Sequence, residues 1–178
     1  MWKRKTGVIA ALWLATSGAV FAQSLKYGVG RTPSAEDVRA LGIMVAPDGT
    51  GLPAGSGTAV EGKEVFAAKC AACHGPTGEG GDGPALVGGR GTLATPRPRK
   101  TVGSYWPYAT TLWDFVNRAM PFNQPGTLSQ QEVYALSAYV LFLNDIVGEK
   151  QAIDAKTLPS IRMPNRDGFV SDPRPDIQ

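Results

Sequence analysis

Apolar residues recur at helical spacing in two main segments of the chain. Residues 60–73 favour a helix whose apolar stripe leads toward a pair of cysteines. Residues 130–146 carry the stronger pattern, and a capping box of Ser129 and Glu132 marks where that helix begins. Its apolar positions are Val133, Leu136, Tyr139, Val140 and Leu143. We expect this segment to be the last helix of the core.

A shorter helix is predicted at residues 34–41. Thr32 can act as its cap, and Pro33 suits the first turn because its fixed φ matches helical geometry. The surrounding stretch, residues 23–57, is rich in glycine and proline. We therefore expect residues 23–57 to form an extended arm outside the core.

Another short helix is predicted at residues 112–119. Thr111 is the expected cap, with Asp114 three residues after it. The helix should end before Met120, because the proline that follows disfavours helical geometry in its predecessor. Met120 therefore lies in a turn between two helices.

Residues 75–107 lack helical or strand periodicity and hold much of the chain's glycine and proline. Long loops without secondary structure are uncommon in a compact domain. The sequence predicts that this loop wraps around something other than a protein core. Beyond Gly148 the chain is polar and contains several prolines, so residues 148–178 should form an extended tail on a surface.

The first residues have the order of a secretory signal peptide. Three basic residues precede an apolar run at residues 8–14, and small residues follow up to Ala22. We predict that residues 1–22 are cleaved and that the protein is periplasmic. The alternative is a membrane anchor, but an apolar stretch of about 15 residues is shorter than the roughly 20 needed to span a bilayer. No membrane span is expected after cleavage.

Charge and cysteine content narrow the function classes. The chain has 18 basic and 15 acidic residues, and three of the basic ones, but no acid, lie in the predicted signal peptide. The remainder is formally neutral, so nothing indicates binding to nucleic acid. The chain has two cysteines, which excludes a disulfide framework of the kind that holds small secreted domains together.

The two cysteines and the single histidine form one motif, Cys70-x-x-Cys73-His74. Two thiols one helical turn apart can bond to the vinyl groups of a haem, and the adjacent histidine can then ligate the iron. The sequence predicts one covalently attached haem c, with iron held by His74.

Three other interpretations of the motif fit it less well. A zinc site needs about four ligands, so carboxylates would have to complete it. A thioredoxin-like redox pair expects a preceding strand and a parallel sheet, and neither is visible. A disulfide between Cys70 and Cys73 explains neither His74 nor the glycine-rich loop.

The second axial ligand must come from another residue type, because the chain has one histidine. A methionine thioether is a suitable neutral ligand. Met44, Met120 and Met163 are the candidates after signal cleavage. We favour Met120, since Pro121 fixes the backbone of its turn, and keep Met163 as the fallback. The interpretation that Met120 only fills core space stays open.

Other residues are candidates to support the haem. The Pro84 carbonyl can hold the second ring nitrogen of His74, although Pro84 can equally be an ordinary turn proline. Trp106, Tyr105 and Arg90 can bond to haem propionates, which need partners if they are buried. The two aromatic residues can equally serve only in packing.

These motifs resemble class I cytochromes c. The resemblance rests on Gly62-x-x-x-Phe66 before the motif, on Gly83-Pro84, and on Met120-Pro121-x-Asn123. It implies an all-α fold of three to four helices around one haem, spanning residues 58–147. It also implies that the helix bearing Phe66 crosses the last helix near Tyr139, and that Asn123 bonds the ligand sulfur.

A narrower resemblance is to the cytochrome subunits of bacterial sulfite and sulfane dehydrogenases. The matching segments are residues 51–57, 101–111, 118–122, 132–136 and 163–169. The resemblance implies a molybdenum-containing partner subunit that oxidises sulfite or sulfane sulfur, and a downstream cytochrome or terminal oxidase. It implies no catalytic residue in this chain. The larger Sox-type sulfane dehydrogenase cytochromes have two haem motifs where this chain has one.

Two other functions remain open besides electron transfer from a sulfite or sulfane dehydrogenase. The protein could be a free electron shuttle or the cytochrome subunit of another periplasmic dehydrogenase. It could also be a haem enzyme, which requires an open or labile iron position. Met120 argues against the enzyme, because a sixth ligand leaves no site for substrate.

Overall fold

The structure, a computed structural model, describes residue 27 and residues 29–174; the predicted signal peptide, residues 1–22, lies outside the described residues. Within the described part, the elements are α1 (Ala35–Leu41), β1 (Ser56–Gly57), α2 (Ala59–Lys69), α3 (Ala71–His74), α4 (Ala109–Ala119), α5 (Gln130–Leu143), β2 (Ile153–Asp154) and a 3-10 turn (Leu158–Ser160). The fold is all-α apart from a two-stranded ribbon, as predicted.

The two main helices, α2 and α5, cross at a glycine. A Cβ atom on Gly62 would lie 2.0 Å from the Ala135 carbonyl oxygen, so a larger residue would force the backbones apart. One turn later the rings of Phe66 and Tyr139 pack with 5.2 Å between their centroids. The expected crossing of these helices is therefore confirmed.

Helix α4 covers the other side of α5. The rings of Trp113 and Tyr134 lie 5.4 Å apart, and both side chains are fully buried. The helix ends at Ala119, as predicted, but it begins at Ala109 rather than at residue 112. Thr111 is therefore not its cap. Asp114 belongs to no cap either, because its buried carboxylate accepts hydrogen bonds from the Val45 amide and from Arg118.

Two other helix starts and ends differ from the prediction. Helix α1 is capped by Ser34, not Thr32, because Asp37 at the third helical position completes a capping box with it. The helix predicted over residues 60–73 is broken at Cys70, where the backbone leaves helical geometry before α3 begins. Both corrections move a boundary and leave the element in place.

The last helix ends at Leu143, three residues before the predicted end. Asn144 folds its side chain back, and Nδ2 donates to the Val140 carbonyl at 2.9 Å. Asp145 then takes a positive φ of 56°, which stops the helix. The loop over residues 75–107 contains neither helix nor strand, as predicted.

The tail differs most from expectation. Strand β2 pairs antiparallel with β1 in the register Gly57↔Ile153. Ile153, Leu158 and Met163 are fully buried core residues. Part of the tail therefore completes the chain's own core instead of lying extended on a surface. Isolated apolar residues among prolines have no periodicity, so the pattern of the chain did not predict this burial.

The arm shows two behaviours. Val45 is buried, and its amide donates to Asp114 Oδ1 at 2.9 Å. Most described residues before it are exposed, including several apolar side chains: Tyr27, Val29, Val38, Leu41, Ile43 and Met44. Among the described residues, no helix is long and apolar enough to cross a membrane.

Candidate haem site

The Cys70-x-x-Cys73-His74 motif lies on a single helical turn. Helix α2 ends just before Cys70, and the amides of Cys73 and His74 both donate to the Cys70 carbonyl, at 3.1 and 3.0 Å. Both thiols are free. The Cys70 thiol is half-buried, and this burial raises its pKa to about 11, whereas the Cys73 side chain is exposed. Both sulfurs are thus available for covalent attachment.

The imidazole of His74 is held by a backbone carbonyl. Its Nδ1 lies 2.8 Å from the Pro84 oxygen. Because a carbonyl can only accept a hydrogen bond, Nδ1 carries the proton, and in the neutral imidazole Nε2 then keeps its lone pair. This is the tautomer that a metal ligand requires.

The segment that presents Pro84 folds back over α3. The Gly80 amide donates to the His74 carbonyl, and the Gly83 amide donates to the Cys73 carbonyl, both at 2.8 Å. A Cβ atom on Gly83 would lie 3.1 Å from the His74 ring, so this position has little room for a side chain. The loop therefore encloses His74 from one side through backbone contacts.

The three candidate methionines lie in different environments. Met120 follows the last residue of α4 in extended geometry and is half-buried against the core. Its peptide bond to Pro121 is cis. Met163 is fully buried in the tail, and Met44 is largely exposed on the arm. Met120 is thus the methionine that joins the core while keeping part of its side chain accessible to a ligand.

The remaining candidates are spread around the loop. Trp106 is half-buried and meets the ring of Phe115 edge-on at 5.7 Å, while Asn123 is exposed in the turn after Met120. The Tyr105 carbonyl accepts from Asn165 Nδ2 at 2.7 Å, which ties this residue to the tail. Arg90 donates to the carbonyl of Asn144 at 2.6 Å.

The residues present fit a haem and do not fit a zinc ion. Two free thiols, an imidazole with an available Nε2 and a half-buried thioether are the donors of a haem c site. Among the described residues, no group of three or more His, Cys, Asp or Glu side chains could hold a metal ion. Half-buried apolar side chains also gather on the core from the motif, the loop and α5: Cys70, Ala71, Leu86, Trp106, Phe142, Leu143 and Ile146.

Comparison with known proteins agrees with this geometry. A family model described as cytochrome c matches residues 59–144. The crystal structure of the sulfane dehydrogenase SoxCD from Paracoccus pantotrophus contains a chain 43% identical to this one, with a TM-score of 0.76 over 84% of this chain and 74% of that chain. The chain belongs to the cytochrome c family. Membership implies a covalently bound haem c with its iron, as predicted.

A second relative of this cytochrome c is a thiosulfate dehydrogenase from Psychrobacter arcticus. The two sequences are 34% identical over 110 residues, which is 56% of this chain. The match covers 31% of the dehydrogenase, so this chain spans about a third of that protein. Both relatives are named as dehydrogenases of sulfur compounds.

Sequence reasoning missed the long-range hydrogen bonds of two polar residues, Asp114 and Asn144. Asp114 joins the arm to α4, and Asn144 joins α5 to the loop that presents Pro84. Asn144 was detectable in principle, because asparagine just after the last apolar position of a helix is a common helix end. Asp114 was expected as part of a helix cap, and nothing in the sequence indicated that its carboxylate is buried and binds the arm, since most aspartates on a helix face solvent.

Proposed function

We propose that this protein is a periplasmic monohaem cytochrome c that transfers single electrons. Cys70 and Cys73 would attach the haem, and His74 and Met120 would hold its iron. When bound, the haem supplies a one-electron iron couple. The observation that carries the proposal is the bond from His74 Nδ1 to the Pro84 carbonyl, next to two free thiols. A helix turn with this arrangement has its imidazole prepared to ligate iron.

The other site residues have supporting roles in this proposal. The indole of Trp106 holds a propionate, and the side chain of Asn123 bonds the Met120 sulfur. With His74 and Met120 both holding the iron, no open site would remain for a substrate. The protein would therefore be a non-catalytic electron carrier. Its proposed segments are an arm (residues 23–57), the cytochrome c domain (residues 58–147) and a tail (residues 148–178).

We further propose that the electron donor is a molybdenum-containing sulfite or sulfane dehydrogenase subunit. The support is the similarity to a chain of a sulfane dehydrogenase over 84% of this protein. The acceptor would be a downstream cytochrome or a terminal oxidase. Residues 1–22 would direct the chain to the periplasm, where it would meet such an enzyme.

The arm is the better candidate for contacting this partner. The buried Ile153, Leu158 and Met163 commit the middle of the tail to the chain's own core. The arm before Val45 instead exposes apolar side chains, such as Leu41, which is 81% exposed, and Met44, which is 67% exposed. Exposed apolar side chains that cluster on one segment are typical of interaction sites.

One experiment tests both levels of the proposal. The full chain is produced in a bacterial periplasm that matures haem c, purified, and mixed with a molybdenum sulfite-oxidising enzyme and sulfite. Reduction of the haem that requires both enzyme and sulfite supports the donor assignment. A covalent haem spectrum without such reduction leaves a general electron carrier. Rapid binding of cyanide at neutral pH would instead indicate an open iron position and a haem enzyme.

A further inference from the structure

Asn144 connects the end of α5 to the loop around His74. The residue is 7% exposed and follows Leu143, the last residue of the helix. Its Nδ2 donates to the Val140 carbonyl at 2.9 Å and to the Leu86 carbonyl at 3.2 Å. Both hydrogens of the amide are therefore used, one inside the helix and one across to the loop.

The loop bond fixes a short segment that ends near His74. Leu86 lies two residues after Pro84, and its own amide donates to the Gly78 carbonyl at 2.8 Å. Both the amide and the carbonyl of Leu86 are therefore hydrogen-bonded. Since only Ala85 separates it from Pro84, the direction of the Pro84 carbonyl toward His74 Nδ1 depends on this fixed point.

Two further contacts confine Asn144 itself. A Cβ atom on Gly103 would lie 2.0 Å from Asn144 Oδ1, so the amide packs directly against that backbone. The Asn144 carbonyl accepts from Arg90 Nη2 at 2.6 Å. Three separate parts of the loop, at Leu86, Arg90 and Gly103, therefore meet on one buried side chain and its backbone. A purely helix-ending role would need only the bond to Val140.

We propose that Asn144 is a positioning residue that orients the Pro84 carbonyl against His74 and so sets how strongly the imidazole donates to the haem iron. The inference rests on the proposed role of His74 as axial ligand. A hydrogen bond from the outer ring nitrogen raises the basicity of a histidine ligand. A stronger donor stabilises the ferric state, so loosening this bond raises the reduction potential.

The test compares Asn144→Ser with a control variant and a second probe, each in the haem-loaded full chain. In Asn144→Ser, a hydroxyl can still bond the Val140 carbonyl four residues earlier, as Ser137 Oγ does to Val133 at 2.7 Å, but it cannot reach Leu86. Ser137→Ala is the matched control, because it removes a fully buried bond in the same helix without touching the loop. Gly103→Ala is a second probe, since it displaces the Asn144 amide without changing it.

Two readouts are measured: the reduction potential, and the solvent exchange of the His74 Nδ1 proton by nuclear magnetic resonance. We expect Asn144→Ser and Gly103→Ala to raise the potential and accelerate exchange, and Ser137→Ala to leave both at wild-type values. Unchanged potential and exchange in Asn144→Ser, even with lower stability, would show that Asn144 only ends the helix and would overturn the inference. If Gly103→Ala does not fold, Asn144→Ser alone decides. The comparison is independent of the dehydrogenase, so failure of the proposed donor does not affect it.

Discussion

The carboxylate of Asp114 lies 2.9 Å from the amide nitrogen of Val45, so a buried side chain in α4 holds the buried residue that follows the exposed first part of the arm. The same carboxylate pairs with Arg118 one turn later, at 2.5 Å from Nη2. Helix α4 ends at Ala119, and Met120 follows it, two residues after Arg118. The attachment of the arm and the position of the proposed iron ligand therefore depend on one helix.

Removal of this carboxylate should loosen the arm and destabilise the domain. In Asp114→Ala the Val45 amide and the Arg118 guanidinium both lose their partner, so we expect a loss of about 2–3 kcal/mol in the free energy of unfolding. Denaturant unfolding measures it, and limited proteolysis before Val45 should accelerate. Asp37→Ala, which breaks an exposed pair with Arg31 and the capping box of α1, should change global stability much less, because the pair is screened by solvent. Equal effects of the two variants would contradict this account.

Substitution of the methionines separates the iron ligand from core packing. Met120→Ala should abolish the weak near-infrared band of sulfur-to-iron coordination and lower the reduction potential. Met163→Ala should keep both but lower stability by about 2–5 kcal/mol, because its side chain is fully buried. Absorption spectra and potentiometry check the first variant, and denaturant unfolding checks the second. Loss of the band in Met163→Ala alone would mean that the ligand assignment is wrong.

Local motifs were readable from the sequence, and long-range contacts were not. The Ser129–Glu132 capping box and the turn of Cys70 and His74 involve residues a few positions apart, so spacing predicts them. The burial of Met163 and the bond between Asn144 and Leu86 depend on how distant segments fold together. A single asparagine or methionine carries no periodic pattern. Contacts between distant segments of the chain were therefore the features that residue spacing could not predict.

The helix crossing at Gly62 should tolerate no side chain. A Cβ atom there would lie 2.0 Å from the Ala135 carbonyl oxygen, and backbone atoms of two helices cannot yield cheaply. We expect Gly62→Ala to cost about 1–3 kcal/mol or more and to lower the yield of haem-loaded protein. Gly148→Ala is the control, since the nearest atom to its added Cβ is 3.9 Å away. Thermal unfolding of both variants measures the difference; similar melting temperatures would argue against a tight crossing.

The acid stability of the protein should depend on Glu132. A hydrogen bond from Lys69 Nζ at 2.5 Å, and one from the Ser129 amide, lower the pKa of Glu132 below its ordinary value of 4.5. A lowered carboxyl pKa contributes stability above the ordinary value, and that contribution is lost as pH falls through the folded-state pKa. Glu132→Gln should therefore be less stable than wild type at pH 7, by about 0.5–1.5 kcal/mol. The difference should shrink as pH falls below 4.5. Urea unfolding at pH 7 and below pH 4.5 measures this difference in stability. Glu64→Gln, at an exposed position of α2, is the control and should have the stability of the wild type at both pH values.

The exposed apolar residues of the arm should contribute to binding the dehydrogenase. Leu41 and Ile43 lie just before the buried Val45, so they are held near the domain while their side chains face solvent. Because only a minority of interface residues cost more than about 1 kcal/mol on truncation, two apolar residues are replaced together, and Leu41→Ser with Ile43→Ser should weaken binding several-fold. The haem spectrum and the reduction potential should not change, since neither residue contacts the site. Affinity is measured by the concentration of cytochrome that half-saturates sulfite-dependent reduction. Val170→Ser, at a tail position that is 90% exposed, is the control, and an equal effect there would show that any exposed apolar residue contributes equally.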